Sequence, residues 1–228
     1  MEPIDETILQ ERQRIMQMHL FEQQAYQRGF KTIAGIDEVG RGPIAGPVVA
    51  GAVILPRDFF LAGVDDSKKL SSSKREYLAH EIKKQALSWA VAYIFCPRLD
   101  EINIYQATIE AMKLVAASLN PQPDYLLIDA MKLSDINIKQ QSIIKGDTLS
   151  MSIACASIIA KVERDNLMQS LDEVYPGYGF AKHKGYATRG HMEALITNGP
   201  CSLHRVSFEP VKSMVSGGNY GEQPGLFK

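Results

Sequence analysis

The sequence has few of the features that mark secreted or membrane proteins. Its three cysteines, Cys96, Cys155 and Cys201, are widely spaced and form no C-x-x-C pair, so neither a disulfide framework nor a zinc site is indicated. The longest stretch without a charged residue, 42–56, has 15 residues interrupted by prolines and glycines, which is shorter than the roughly 20 apolar residues of a membrane-spanning helix. The acidic beginning is unlike a secretory signal. We therefore expect a cytoplasmic protein with reduced thiols and no membrane partner.

An excess of charge of one sign is also missing, because the formal net charge is −1 over 228 residues. The charge is unevenly distributed, and the chain from residue 181 onward carries six basic and three acidic side chains. Segment 182–189 contains no acid but has one tyrosine and three bases, which are Tyr186, Lys182, Lys184 and Arg189. Such a run is typical of a solvated surface, and it is also a candidate phosphate-binding segment.

The hydrophobic pattern indicates one α/β domain. Runs of β-branched and apolar residues bounded by Gly or Pro predict strands at 32–37, 47–55, 89–95, 125–128 and 142–144. Helices are predicted at 5–29, 73–87, 103–119, 150–174 and 189–198. Alternating strands and helices predict a mixed sheet flanked by helices. We expect a helical extension over 1–30, one domain over 31–212 and a Gly-rich tail over 213–228.

Four acids follow apolar strands or open the next element: Asp37 and Glu38, Asp129, and Asp147. Each alone could be a turn residue, and Asp147 could simply cap the helix near residue 150. The ends of strands in an α/β sheet are also where sites are assembled. Gathered there, the carboxylates would repel one another unless a cation lay between them. Oxygen ligands without His or Cys favour Mg²⁺ or Mn²⁺ over zinc.

Asp37 and Glu38 are adjacent, so a regular strand would direct them to opposite faces. We therefore expect the strand to break at Glu38. The turn Gly40-Arg41-Gly42 can provide this break, since its two glycines are free to adopt positive φ and to expose backbone N–H groups to a phosphate or a sugar. An ordinary structural turn is the alternative.

Several short motifs occur in order between about residues 32 and 210. They are IDEVGRGP at 36–43, DSKKL at 66–70, ID at 128–129, KGD at 145–147, SIACASIIAK at 152–161 and GYAT at 185–188. In this combination the chain resembles the ribonuclease HII family. The resemblance implies a ribonuclease H-like fold and hydrolysis of RNA joined to DNA in a duplex, including a single ribonucleotide embedded in DNA.

The resemblance also assigns roles to residues. Asp37, Glu38, Asp129 and Asp147 would be the metal-binding catalytic acids. Gly40, Arg41 and Gly42 would contact the 2′-OH of the ribonucleotide, and Tyr186 would pack on the sugar at the RNA-to-DNA junction. The chemistry agrees, because two cations roughly 3.5 to 4 Å apart can activate a water and neutralise the leaving oxygen of a phosphodiester. The expected products carry 5′-phosphate and 3′-hydroxyl ends.

Basic side chains supply the expected phosphate contacts. They are Lys68 and Lys69, which follow Asp66-Ser67, together with Lys182, Lys184 and Arg189. The expected partners are an RNA/DNA hybrid and a DNA duplex containing ribonucleotides, bound by a monomer.

Two other functions stay open. A nuclease of the same superfamily that cuts a four-way junction would share the acids but would not need a reader of the 2′-OH. A non-catalytic phosphate-binding module would not place four acids beside a phosphate, because without metal ions they repel it.

The end of the chain carries a separate signal. Gln223-Pro224-Gly225-Leu226-Phe227 resembles the Q-x-x-L-F peptide by which bacterial replication and repair proteins dock on the sliding clamp. In such a peptide Leu226 and Phe227 would enter an apolar pocket, while Gln223 would supply a hydrogen bond at its rim. The alternative is an inert tail.

Overall fold

The computed structural model describes residues 6–217, and a five-stranded mixed sheet forms its centre. The strands are β1 (Ile33–Val39), β2 (Val48–Ile54), β3 (Ser88–Ile94), β4 (Tyr125–Asp129) and β5 (Lys139–Ile143). Their order across the sheet is β3-β2-β1-β4-β5. The pairs β1–β2 and β2–β3 are antiparallel, whereas β1–β4 and β4–β5 are parallel. The predicted mixed α/β sheet is confirmed.

Helices cover both faces of this sheet. They are α1 (Glu6–Met18), α2 (Leu20–Gln27), α3 (Ser72–Gln85), α4 (Arg98–Ala117), α5 (Gly146–Leu149), α6 (Met151–Val174), α7 (Phe180–His183), α8 (Arg189–Asn198) and α9 (Val211–Gly217). On one face, α4 packs against β1, β2 and β3, and on the other face α6 packs against β1 and β2. Among residues 6–217, no helix has both the length and the apolar character needed to cross a membrane.

Helix α6 approaches the sheet so closely that two strand positions have no room for a side chain. A Cβ at Gly35 would stand 2.1 Å from the backbone carbon of Ser152, and one at Gly51 would stand 2.6 Å from the carbonyl oxygen of Ala156. The small residues along α6 therefore serve close packing against the sheet. This packing fixes the helix that follows Asp147 directly on β1, which carries Asp37.

Three predicted elements differ from the structure by a break or by more than two residues at one end. The single helix expected over 5–29 is interrupted at His19, where the chain turns so that Ile15 on α1 and Ala25 on α2 both reach the core. Helix α4 begins at Arg98 rather than near Asn103, whose φ of 67° interrupts it. Strand β5 lies at Lys139–Ile143 rather than 142–144, because this edge strand is largely polar and gives little apolar signal.

The N-terminal helices are attached to the beginning of α6 through one buried carboxylate. Oε1 of Glu22 accepts hydrogen bonds from the Ser150 hydroxyl at 2.6 Å, the Ser152 backbone N–H at 2.9 Å and the Ser152 hydroxyl at 2.7 Å. An acid at a helix N-terminus satisfies N–H groups that have no partner within the helix and favours the helix dipole. The expected extension, domain and tail boundaries stay predictions.

Candidate active site

The four acids predicted from the sequence lie around one end of the sheet. Strands β1 and β4 are parallel with Ile36 opposite Ile128, so the next residues, Asp37 and Asp129, end up side by side. Strand β5 is parallel to β4 and leads into α5, which carries Asp147. The parallel register therefore brings together acids that are far apart in the sequence.

Asp37 and Glu38 belong to the same uninterrupted strand. The expected break at Glu38 is wrong, because β1 stays paired with β2 through Val39, opposite Val49. The turn comes one residue later, at Gly40, where φ is 87°. Oδ1 of Asp37 accepts a hydrogen bond of 2.8 Å from the Glu38 backbone N–H, and its side chain is only 5% exposed.

Asp129 connects β4 to the short helix α5. Its Oδ1 accepts a hydrogen bond of 2.7 Å from the Gly146 N–H. A side chain at Gly146 would collide with Ile153, since its Cβ would stand 2.6 Å from Ile153 Cδ1. Asp147 follows within α5, and the N-cap of α6 is Ser150, whose hydroxyl accepts from the Ile153 N–H. The alternative of Asp147 as the cap of the long helix is therefore wrong.

The carboxylates lie in an electrostatically strained environment. Burial raises the pKa of Asp37 well above its usual value, and the charges of Glu38 and Asp129 raise it further, against a hydrogen bond from Ser157. Burial also raises the pKa of Glu38, with Arg41 lowering it and Asp129 raising it. The pKa of Asp147 is raised by burial and then by Asp66 and Asp129. Each of these raised pKa values means that the folded protein disfavours the ionised carboxylate when no cation is nearby.

The donor set fits a divalent cation in an open site. Oε2 of Glu38 is buried and has no hydrogen-bond partner among residues 6–217, which leaves an oxygen free to act as a ligand. Within the same residues, no three Asp, Glu, His or Cys side chains form a cluster that could hold an ion by itself. Mg²⁺ sites in general keep several waters and use one or two carboxylates together with substrate phosphates.

Of the two adjacent lysines, only Lys68 faces the acids. Its Nζ lies 3.9 Å from Oδ2 of Asp147. Burial acts against its charged form, but the surrounding carboxylates, Asp147 foremost, raise its pKa overall. Lys69 instead pairs with Asp65 at 3.1 Å. The loop thus presents one largely exposed ammonium group beside the acids.

The turn that follows β1 lies next to Tyr186. A Cβ at Gly42 would stand 3.8 Å from Cε1 of the Tyr186 ring. The carbonyl oxygen of Gly185 accepts a hydrogen bond of 3.0 Å from the Ile44 N–H, and a side chain at Gly185 would collide with the Ala45 carbonyl oxygen at 2.2 Å. The two loops are therefore in direct backbone contact beside the acids.

Arg205, which the sequence reasoning missed, fixes this turn from inside. Its fully buried side chain donates to the carbonyl oxygens of Gly40, of Arg41 at 2.8 Å and of Gly46 at 2.8 and 3.0 Å. In a trans peptide the C=O and the next N–H point in opposite directions. Because the Gly40 and Arg41 carbonyls are directed at Arg205, the N–H groups of Arg41 and Gly42 are turned away from it.

Arg164, also missed, joins the turn to the basic segment. Its guanidinium is fully buried and donates to the carbonyl oxygens of Pro47 at 3.0 Å, Lys184 at 3.0 Å and Ala45 at 3.4 Å. The sequence carries little signal for it, because Arg164 stands between the charged residues Glu163 and Asp165 on α6. Its partners could not be inferred, because all of them are backbone atoms of distant loops.

The basic segment contributes less uniformly than the sequence indicates. Lys182 is exposed, whereas Lys184 is partly buried and adopts a left-handed conformation with φ of 53°. Arg189 is exposed and pairs with Glu193 along α8 at 2.8 Å. The clamp-like peptide, with Gln223, Leu226 and Phe227, lies outside the described residues.

Comparison with known proteins identifies the family. The family model for ribonuclease HII matches residues 34–211. The ribonuclease HII of Syntrophomonas wolfei is 62% identical over 221 residues, which cover 97% of this chain and 87% of that protein.

Two solved structures share the fold. The ribonuclease H2 of Pyrococcus horikoshii superposes with a TM-score of 0.69 at 24% identity, covering 82% of this chain and 98% of that one. The ribonuclease HII of Archaeoglobus fulgidus, solved as a complex with PCNA, superposes with a TM-score of 0.65 at 29% identity, covering 78% and 96%. The chain belongs to the ribonuclease HII family of metal-dependent ribonucleases, which cleave the RNA strand of RNA/DNA hybrids.

Proposed function

We propose that this protein also cuts duplex DNA on the 5′ side of a single embedded ribonucleotide and leaves 5′-phosphate and 3′-hydroxyl ends. The observation that carries the proposal is the continuity of β1 with the turn. Asp37 and Glu38 lie at the end of the strand, and the outward-facing N–H groups of Arg41 and Gly42 follow immediately. The carboxylates that would bind the metal ions and the backbone N–H groups that would contact the sugar are therefore only a few residues apart, on one strand and the turn that follows it.

We assign the binding of two divalent cations, Mg²⁺ or Mn²⁺, to Asp37, Glu38, Asp129 and Asp147. When bound with substrate, these ions supply an activated water and neutralise the charge on the departing 3′-oxygen. The chain holds the carboxylates in place: the Glu38 N–H binds one oxygen of Asp37, and the Gly146 N–H binds one oxygen of Asp129. These bonds fix the orientation of the two carboxylates, and Oε2 of Glu38, which has no hydrogen-bond partner among residues 6–217, is available to an ion.

We assign recognition of the ribose to the turn and to Tyr186. The 2′-OH is the group that distinguishes RNA from DNA at a given site. Backbone groups of Gly40, Arg41 and Gly42 can reach it without an intervening bulky side chain, and the exposed ring of Tyr186 offers a flat surface to the neighbouring sugar. A superfamily nuclease for four-way junctions would have no use for this arrangement.

We assign phosphate contacts to Lys68 beside the acids and to the more distant bases Lys69, Lys182, Lys184 and Arg189. Such contacts position a duplex without reading its sequence. Lys68 is the strongest of these assignments, because its exposed ammonium faces the cluster of carboxylates.

The proposal is tested with three duplexes of identical sequence: all DNA, DNA with one ribonucleotide, and an RNA/DNA hybrid. We expect Mg²⁺-dependent cleavage of the second and third duplexes and none of the first. Sequencing gels should place the cut 5′ of the single ribonucleotide. Cleavage of the hybrid alone would contradict the ribonucleotide reader, and binding without cleavage at any Mg²⁺ or Mn²⁺ concentration would favour a phosphate-binding module.

We also propose that Gln223, Leu226 and Phe227 dock this enzyme on the sliding clamp, and that it acts as a monomer in the cytoplasm. The support is the Q-x-x-L-F spacing at the end of the chain and the PCNA complex of the Archaeoglobus protein. Docking by a short peptide would bring the enzyme to newly made DNA without a large interface.

A further inference from the structure

Three imidazoles are packed behind the loop that carries Tyr186. The ring centroids of His183 and His191 are 4.2 Å apart, and those of His191 and His204 are 5.3 Å apart. His191 and His204 are almost completely buried, and Phe180 packs against all three rings. A group of three histidines, two of them buried, with no part in binding the proposed metal ions calls for a different explanation.

The hydrogen bonds determine where each proton lies. Nδ1 of His191 is 2.9 Å from the Tyr186 carbonyl oxygen, which can only accept, so His191 carries its proton on Nδ1. Nδ1 of His204 lies 2.9 Å from the Cys201 backbone N–H and 3.3 Å from the Cys201 carbonyl oxygen. The shorter contact is with a donor, so we assign this nitrogen as the acceptor and place the proton of His204 on Nε2. The two Nε2 atoms are 3.1 Å apart, and His204 therefore donates to His191.

These assignments form one consistent chain of neutral imidazoles. It runs from the Cys201 N–H through His204 and His191 to the Tyr186 carbonyl oxygen. Burial lowers the pKa of His204 to about 4 and also lowers the pKa of His191, which keeps both rings neutral at pH 7. The titratable neighbours of this pair are His183, the Cys201 thiol, which lies 3.2 Å from Nδ1 of His204, and Tyr178, whose ring centroid is 5.1 Å from that of His204.

The backbone of Tyr186 is held on both sides by this group. The Gly185 N–H donates to Nδ1 of His183 at 3.2 Å, and the Tyr186 N–H donates to the His183 carbonyl oxygen at 2.9 Å. The Tyr186 side chain is 44% exposed, so its position depends strongly on its backbone.

We propose that His191 and His204 are positioning residues whose chain of hydrogen bonds holds the Tyr186 carbonyl and so keeps the Tyr186 ring beside Gly42 for contact with the sugar. This inference rests on the proposed recognition of a ribonucleotide by Tyr186. It assigns His191 the specific task of donating from Nδ1, which is a narrower claim than filling space in the core.

Two substitutions of His191 separate these roles. The amide N–H of an Asn lies near the position of Nδ1, whereas that of a Gln lies near Nε2, so His191→Asn can keep the bond to the Tyr186 carbonyl and His191→Gln loses it. We expect kcat/KM on a duplex with one ribonucleotide to fall about tenfold or more in His191→Gln and to stay within about threefold of wild type in His191→Asn. Equal losses in the two variants would overturn the proposal.

A double-mutant cycle with Tyr186→Ala provides the second readout. If His191 acts through Tyr186, His191→Gln should change kcat/KM by no more than about twofold in the Tyr186→Ala background. Multiplicative losses would show that His191 supports the enzyme by another route and would refute the inference. Thermal melting of each variant identifies any that fail to fold, and if His191→Gln is one of them, the spectroscopic measurement on the wild type decides.

A spectroscopic measurement tests the chain of hydrogen bonds without activity. Imidazole ¹⁵N chemical shifts at pH 7 should show His191 protonated on Nδ1 and His204 on Nε2. The opposite tautomers, or a charged ring, would overturn the proposal. Correct tautomers in an enzyme that ignores single ribonucleotides would instead refute the proposed function of Tyr186.

Discussion

The ring of Tyr186 lies beside Gly42, 3.8 Å from where a Cβ on that glycine would stand. This contact joins the loop after β1 to the loop before α8. Two buried guanidinium groups stabilise it from behind, Arg205 under the turn and Arg164 between the two loops. The proposed ribose reader is thus a composite surface whose geometry is set by buried arginines rather than by either loop alone.

Replacing Tyr186 should separate recognition from metal binding. Tyr186→Ala removes the flat contact but no carboxylate, so we expect kcat/KM on a single ribonucleotide to fall by about tenfold or more, with an unchanged half-maximal Mg²⁺ concentration. Tyr186→Phe is the matched control that keeps the ring. A parallel rise in the Mg²⁺ requirement would mean that Tyr186 supports the metal site instead.

The two glycines of the turn should respond differently to alanine. Gly40 has φ of 87°, and its Cβ would collide with Nε of Arg164 at 2.2 Å, so Gly40→Ala should lower the free energy of unfolding by about 2 kcal/mol or more. Gly42→Ala meets only the Tyr186 ring at contact distance. It should leave stability within about 0.5 kcal/mol and weaken cleavage at a ribonucleotide. Urea unfolding and cleavage kinetics check both, and equal stability of the two variants would argue against the strain at Gly40.

Asp129→Asn should nearly abolish cleavage, by about 10³-fold, while duplex binding and the fold persist. An Asn keeps an oxygen that can accept the Gly146 N–H, but it lacks the charge that holds a cation. Asp135→Asn, at an exposed acid, is the control. If Asp129→Asn kept most of its activity in Mg²⁺, Asp129 would not be one of the catalytic acids.

Asp37→Asn should stabilise the metal-free protein, and more so at higher pH. Burial and the charges of Glu38 and Asp129 raise the folded-state pKa of Asp37 above its unfolded value, so the ionised carboxylate destabilises the fold increasingly as pH rises from about 4. In EDTA we expect a gain in the free energy of unfolding of about 1 kcal/mol or more at pH 7 and a smaller gain at pH 5.

About 10 mM Mg²⁺ acting with a Kd of about 1 mM should stabilise the wild type by ~1.4 kcal/mol and Asp37→Asn hardly at all. An Asp37→Asn variant that is less stable than wild type at pH 7, or equally stabilised by Mg²⁺, would contradict this role.

The double substitution Leu226→Ala with Phe227→Ala should leave cleavage of short oligonucleotides unchanged and abolish binding to the sliding clamp. The reason is that only the two apolar side chains would enter the pocket of the clamp. Isothermal titration with purified clamp measures the effect, with Lys228→Ala as the control. Equal affinity of the double variant and the wild type would rule out the docking peptide.

Most of the strands and helices could be predicted from the sequence, because each depends mainly on a pattern of neighbouring residues. Apolar strands bounded by Gly and Pro, and acids placed directly after them, can be read without knowing the partner of any strand. Where the local signal fails, so does the prediction. Strand β5 is polar because it is an edge strand, and the break at His19 depends on which faces of α1 and α2 meet the core.

The sequence by itself determined the mixed α/β class, the four acids and the Gly-rich turn, because each is encoded in a run of neighbouring residues. Tertiary structure alone decided that Asp37 and Asp129 meet, since this depends on the parallel register of β1 and β4. It also decided the hydrogen-bond partners of Arg164, Arg205, His191 and His204. Their partners are backbone groups or side chains of other loops. No pattern in the sequence indicates a hydrogen bond to a distant carbonyl oxygen.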